Sequence, residues 1–194
     1  MTASDEKEEI RKVVRAKRRA QLNKDELSQQ IVSRLMDLAD YAIAETVMFY
    51  VDVRDEVRTR AALPTVLRAE KRIVVPYCAA EDLQAYHLVD MNELCIGRYG
   101  IPEPKPELRT LPSKRVDVSE IQLVVVPGVA FDKYGGRLGH GKGYYDRLLN
   151  RVSPQSKGVA LAFECQLVAK LPMSQHDVSM HKIVTEYAVY DCRS

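Results

Sequence analysis

Six short runs rich in β-branched and apolar residues, at 46–51, 72–75, 84–89, 121–126, 158–163 and 183–190, recur along this chain with helix-patterned stretches between them. Each reads as a strand. Residues 5–20 and 25–39 read as polar-faced helices, the second following Asn23 with Asp25 and Glu26 in its first turn. Residues 60–70, whose opening Pro64 disturbs, and 164–170 read as further helices. Strands separated by helices require covered apolar faces. The expected class is therefore α/β, with a mostly parallel or mixed central sheet and helices on both faces. With 194 residues, 46% of them apolar, the chain can bury one substantial core, so residues 1–194 are read as a single domain whose 1–40 part is helical.

Five of the nine glycines fall within FDKYGGRLGHGKGYYDR, residues 131–147. Upstream lies the strand run 121–126, closed by the turn signal Pro127-Gly128, and downstream Tyr144, Tyr145, Leu148, Leu149 and Val152 recur at helical spacing. The glycines are thus expected between a strand and a helix start, where free backbone N–H groups and the helix dipole favour an anion. Gly135, Gly136, Gly139, Gly141 and Gly143 remove side chains that would keep a polyanion from those donors. Arg137 and Lys142 add charge, the first as a planar clamp and the second as a mobile point charge. Asp146 can hold Mg2+, which takes one or two protein carboxylates and fills its remaining positions with water and phosphate oxygens. These features describe a nucleotide-phosphate cradle.

It is not a standard one. Residues 136–142 satisfy G-x-x-x-x-G-K, but Gly143 stands where a P-loop needs a Ser or Thr hydroxyl for magnesium. The glycine spacing also fails the dinucleotide-binding fingerprint.

Charge and cysteine usage narrow the partners. A net charge of +2, from 29 basic and 27 acidic residues, sets up no global field for nucleic acid or a membrane surface, so neither is an expected partner and partners are read from local features. The four cysteines form no C-x-x-C pair, and no secretory leader or spanning apolar run is legible. The expected location is cytoplasmic, with the cysteines as packing residues.

Three other segments bear on function. Residues 1–20 carry seven basic residues against four acidic, with Lys7, Arg11 and Arg15 on one helical face, which reads either as a phosphate grip or as a solvated face. Asp55 and Glu56 follow the first strand, where open α/β sheets bind ligands; they also read as ordinary first-turn acids of a helix. Residues 102–115, with prolines at 102, 104, 106 and 112, read as a stiff surface crossing.

The run RLGHGKGYYD at 137–146, preceded by PGVAFD, resembles the signature of the 5-formyltetrahydrofolate cyclo-ligase family, also called methenyltetrahydrofolate synthetases. KEEIRKVVRAKRRA, DEVRT at 55–59, YGIPEP at 99–104 and HDVSMHKIVTE at 176–186 extend the resemblance, in the family's order, over almost the whole chain. The resemblance implies ATP-driven closure of 5-formyltetrahydrofolate to 5,10-methenyltetrahydrofolate with release of ADP and phosphate. A nucleotide- or folate-binding module, or another ATP-dependent amide-activating enzyme, are the alternatives.

The resemblance further implies an ATP site of Lys7, Arg11, Arg137, Leu138, Gly139, His140, Gly141, Lys142, Gly143, Tyr144 and Tyr145, with Mg2+ on Asp146. Arg137, Lys142, Tyr144 and His140 are the implied catalytic groups, the last two at the junction of formyl and γ-phosphoryl. Val51, Glu56, Tyr99, His140 and Tyr144 are implied on the folate side, Glu56 at the pterin and Tyr99 stacked on the ring system. The sequence departs from the family at His181, where an aspartate is usual. Imidazole is a poor magnesium ligand, so His181 is expected to contact phosphate when protonated.

Overall fold

A computed structural model describes residues 3–80, 82–97 and 100–192. Three helices come first: α1 (Ala3–Ala20), α2 (Lys24–Met36) and α3 (Ala39–Ile43). α1 and α2 part at Asn23, which takes a left-handed conformation (φ 52°) that asparagine tolerates better than most side chains. α2 is helical because its apolar positions share a face: Ile31, Val32 and Leu35 are buried while Gln29, Gln30 and Ser33 face water. Burying a side chain such as Ile31 contributes about 1.5–3 kcal/mol.

Strands β1 (Thr46–Met48), β2 (Arg72–Ala79) and β3 (Asp82–His87) follow, with α4 (Leu63–Val66) between the first two. A small hairpin of β4 (Leu94–Ile96) and β5 (Pro102–Pro104) leads to β6 (Arg115–Val116). The rest comprises β7 (Leu123–Val126), β8 (Ala130–Asp132), β9 (Arg137–Leu138), α5 (Tyr144–Leu149), β10 (Lys157–Leu161), β11 (Leu167–Val168), β12 (Lys182–Val184) and β13 (Val189–Asp191).

Among the described residues, eight strands form one sheet in the order β13-β12-β10-β7-β1-β2-β3-β6. β12, β10, β7, β1 and β2 are parallel; β13, β3 and β6 join antiparallel at the edges. The α/β class with a mixed sheet is thus the observed fold. Its central strands read as unbroken apolar runs because both faces are covered. Val47, Ile73, Val125 and Val159 pack under α2 and α4, while Met48, Val74, Val124 and Ala160 pack under α5. On α1, Val14 meets Val129, Ala130, Leu138 and Leu171, so this helix closes over the three-stranded sheet β11-β8-β9.

Several sequence expectations are corrected. The run 183–190 is two antiparallel strands, because Thr185 closes a turn: its N–H donates to the Ala188 carbonyl and its Oγ1 accepts from the Ala188 N–H. Residues 164–170 form one 3-10 turn followed by β11, since Gln166 commits its side chain to the Phe163 N–H and to the Gly128 and Val129 carbonyls. The helix expected over 60–70 shrinks to Leu63–Val66. Residues 102–115 are not merely a surface crossing. Pro102–Pro104 is a buried strand of a two-stranded sheet, a setting without the neighbouring strand that would need proline's missing N–H.

Candidate functional site

β1 pairs with β2 on one side and β7 on the other, so successive connections leave in opposite directions there. Such a switch point opens a crevice beyond the carboxyl ends of the strands. Here it is a cleft of about 530 Å³, floored by Tyr50 and Val51 after β1 and by Pro127 and Gly128 after β7. Pro76 of β2 lines it too, beyond the point where β1 has left the sheet, so its missing N–H interrupts no ladder.

The glycine-rich run does not lead directly from strand to helix. β8 and β9 intervene as a hairpin, and Gly135 and Gly136 belong to its turn. Asp132, itself buried, accepts from the Tyr134 and Gly136 N–H groups at 2.9 and 2.8 Å and from Leu171 N–H at 2.7 Å. A side chain at Gly136 would collide with that carboxylate, and one at Gly135 (φ 91°) would meet the Met180 carbonyl at 2.6 Å. These two glycines are structural, which corrects their assignment to the cradle. Gly139, Gly141 and Gly143 line the cleft, Gly141 at φ 95° and Gly143 at φ 66°. α5 ends at Leu149, short of Val152; so short a helix contributes little dipole, and the loop's own donors and cations must attract an anion.

α1 holds this loop from above. Arg11 Nε donates to the Gly139 carbonyl at 3.0 Å, its Nη1 pairs with Glu8 at 3.1 Å, and Lys7 pairs with Asp177 at 2.9 Å. Burial alone would raise the Asp177 carboxyl. The Ser174 N–H and Lys7 outweigh it and hold that carboxyl below its usual range. Arg137, only 6% exposed, donates Nη2 to Asp146 Oδ1 at 2.6 Å, and the same oxygen accepts from Val178 N–H at 3.2 Å. Arg137 Nε has no hydrogen-bond partner among the described residues. Lys142 is exposed at the cleft, and no described residue pairs with its ammonium. The basic stripe of α1 is therefore not simply a solvated face: two of its members reach the cleft.

The opposite end is built from the segment after β1. Asp55 and Glu56 are not first-turn acids, because no helix begins there. Asp55 pairs with Lys24 at 3.2 Å, whereas Glu56 turns inward, 8% exposed, with Oε2 accepting from Val53 N–H at 3.1 Å. Glu56 Oε1 lies 3.6 Å from His140 Nε2, so the loop and the buried carboxylate meet across the cleft. Burial, then Glu56, pushes the Tyr50 and Tyr145 hydroxyls far up, which keeps both neutral. Tyr145 packs into both faces of the core, while Tyr144 sits at the cleft with Arg147 5.2 Å above its ring.

The cleft thus gathers Lys7, Arg11, Val51, Glu56, Asp146 and the residues 137–145 singled out in the sequence. Tyr99 lies outside the described residues. His181 is placed elsewhere: at the foot of β12 its Nδ1 accepts from Gly158 N–H at 3.1 Å, and it does not line the cleft. Sequence reasoning missed Tyr77, Cys78, Ile101, Glu103 and Asp177 as lining residues. For Glu103 and Ile101 the signal was present in YGIPEP; for Tyr77 and Cys78, inside an ordinary strand, there was none.

A doubly covered sheet with its cleft at the switch point places the chain among α/β enzymes that work on small molecules at strand ends. The model of the 5-formyltetrahydrofolate cyclo-ligase family matches residues 3–186. The chain is 34% identical over 186 residues to the 5-formyltetrahydrofolate cyclo-ligase of Escherichia coli K12, covering 92% of this chain and 100% of that one. It is 30% identical to a probable 5-formyltetrahydrofolate cyclo-ligase of Schizosaccharomyces pombe, over 83% of this chain and 84% of that one. The solution structure of Aquifex aeolicus 5,10-methenyltetrahydrofolate synthetase superposes with a TM-score of 0.84 at 34% identity, covering 97% of this chain and 93% of that one. This chain belongs to the 5-formyltetrahydrofolate cyclo-ligase family.

Proposed function

We propose that the cleft binds ATP phosphates along residues 137–143 and 5-formyltetrahydrofolate with its pterin toward Glu56, and closes the folate ring with cleavage of ATP to ADP and phosphate, the phosphate carrying away the formyl oxygen. The observation that carries this reading is one cleft with positive charge that no described residue pairs at one end and a buried carboxylate at the other, bridged by His140. Lys142 and the unsatisfied Arg137 Nε call for an anion. A buried N–H without an acceptor costs about 1–3 kcal/mol, a deficit that an oxygen-rich ligand removes. Glu56 can accept from the pterin's amino and ring N–H groups.

The chemistry needs electrophile activation. A formamide oxygen leaves poorly, so the γ-phosphoryl group passes from ATP to the formyl oxygen, releasing ADP. The neighbouring N10 amine then adds to the formyl carbon and loses its proton, and the C–O bond breaks to expel phosphate. Phosphoryl transfer of this kind asks the protein for positioning and charge neutralisation rather than a covalent nucleophile. Lys142 and Arg137 neutralise the phosphates, Arg11 fixes the loop through the Gly139 carbonyl, and Tyr144 and His140 face the junction of the two substrates.

Mg2+ fits the donor set. Asp146 commits Oδ1 to Arg137 and Val178, leaving Oδ2 without a hydrogen bond among the described residues. No group of three or more metal-binding side chains gathers among those residues, which suits an ion that takes most of its oxygens from phosphate and water. Bound on Asp146, it would supply neutralisation of phosphate charge.

The test is absorbance. The methenyl product carries an extended chromophore absent from the substrate, so purified protein with magnesium-ATP and 5-formyltetrahydrofolate is expected to develop a new near-ultraviolet band. Absence of that band in protein that binds both ligands would overturn the proposal.

A further inference from the structure

The mixed-charge, proline-rich segment 102–115 has no role in the chemistry above, yet it reaches the cleft wall. After β5 the chain turns through a short 3-10 stretch (Pro106–Leu108) and brings Arg109 back against its own strand. There the guanidinium makes three contacts. Its Nε donates to the Pro104 carbonyl at 2.6 Å, its Nη2 donates to Glu103 Oε2 at 3.1 Å, and its central carbon lies 4.9 Å from the ring centre of Tyr77. Tyr77, from the central strand β2, lines the cleft.

Each contact is held by something buried. Glu103 is 3% exposed, and its Oε1 also lies 3.5 Å from Cys78 N–H, next in sequence to Tyr77. Gly97, on the far side of the hairpin turn, lies so close that a Cβ there would meet Glu103 Oε2 at 2.6 Å. The carboxylate therefore cannot swing away. A buried acid is a poor device for stability alone, since an apolar pair of the same shape often does as well without the desolvation cost. A planar, doubly anchored guanidinium against an aromatic ring does something an apolar pair cannot: it fixes the ring plane.

We propose that Arg109, oriented by Glu103, is a positioning residue that sets the plane of Tyr77 and thereby the wall against which the flat folate ring system rests. The proposal rests on the functional reading given above. It assigns the segment 102–115 to folate recognition and leaves the ATP end untouched, since no hydrogen bond or ion pair among the described residues joins Arg109 to residues 137–143.

Steady-state kinetics on a double-mutant cycle of Arg109→Lys and Tyr77→Leu tests it. Arg109→Lys keeps the charge but loses the fork and the stacking plane. It is expected to raise the folate KM roughly five- to twenty-fold, the scale of a partly desolvated cation–ring contact, with the ATP KM moved less than about twofold. Tyr77→Leu is expected to show the same split, Tyr77→Phe to restore a near-wild-type KM, and the double variant to be no worse than the poorer single one. Equal rises in both KM values, or full additivity, would overturn the proposal.

A second measurement separates the positioning role from the functional reading. The chain contains no tryptophan, so Tyr77→Trp installs a single indole fluorophore in the wall. Adding Arg109→Lys, or Glu103→Gln if the lysine variant melts early, is expected to lower its anisotropy with no ligand present. Unchanged anisotropy would sink the positioning role even in an active enzyme, and lowered anisotropy in the variants together with no turnover by the wild-type protein would sink the functional reading alone.

Discussion

Two groups of glycines a few residues apart do opposite work. Gly135 and Gly136 are enclosed: one lies under the Met180 carbonyl and the other against the Asp132 carboxylate. Gly141 is open, with nothing nearer to an added Cβ than Arg11 at 3.7 Å, and Gly143 meets only an Arg147 side-chain tip. Glycine in the first group is demanded by the protein's own atoms. In the second the space is available to a ligand. A glycine-rich stretch in sequence therefore mixes fold requirements with ligand access, and substitution separates them.

The largest expected effect is on the open side. Lys142→Ala, removing a charge that no described residue pairs, is expected to lower turnover about 10²- to 10³-fold, the range for losing one preorganised transition-state contact. Its thermal midpoint should stay at the wild-type value; near-wild-type turnover at saturating ATP would break the comparison from that side.

Gly136→Ala is the enclosed counterpart. The new methyl group must push Asp132 away from its three N–H donors, at an expected cost of about 2–3 kcal/mol in denaturant unfolding. A smaller loss than in Gly141→Ala, where the strain of a positive φ is only about 1–2 kcal/mol, would invert the distinction.

The two ends of the cleft give a finer contrast. Glu56→Gln is expected to raise the KM for the folate about tenfold while leaving that for ATP, and Lys7→Ala to do the reverse, since truncating one partner of a polar contact costs about 1–2 kcal/mol. Matching shifts for both substrates would mean the cleft is not partitioned in this way.

The smallest effect is a pH dependence. Asp177 has a folded pKa below its unfolded value, so its contribution to stability is fully present above the unfolded pKa, about 3.9, and is lost as pH falls through the lower folded value. Asp177→Asn is expected to lower stability by a constant amount from neutral pH down to about 4 and to flatten the profile only in the acid window below it, and a changed slope near pH 7 would point to another group.

How much of this was legible depends on the range of the interaction. Apolar runs such as 121–126 and the face of α2 carrying Ile31 and Leu35 show their role locally, because strand and helix periods are imprinted residue by residue. Where a single side chain reroutes the backbone, the local pattern misleads. Gln166 converts an expected helix into a turn by bonding to carbonyls 37 and 38 residues away, and Thr185 splits an apparently continuous strand.

The site divides in the same way. Residue types alone marked 137–146 as the candidate anion site, since glycines, a lysine and an arginine crowded into so short a span have few other physical uses. Only the tertiary structure decided which glycines face the cleft. It also brought Glu56 to within 3.6 Å of His140 across 84 positions of sequence, drew Asp177 to Lys7 on α1, and put Arg109 behind Tyr77. It set His181 at the foot of β12, outside the lining of the cleft. Those pairings arise from strand order and connection direction, which depend on how the whole chain buries its apolar faces and leave no mark on any one segment.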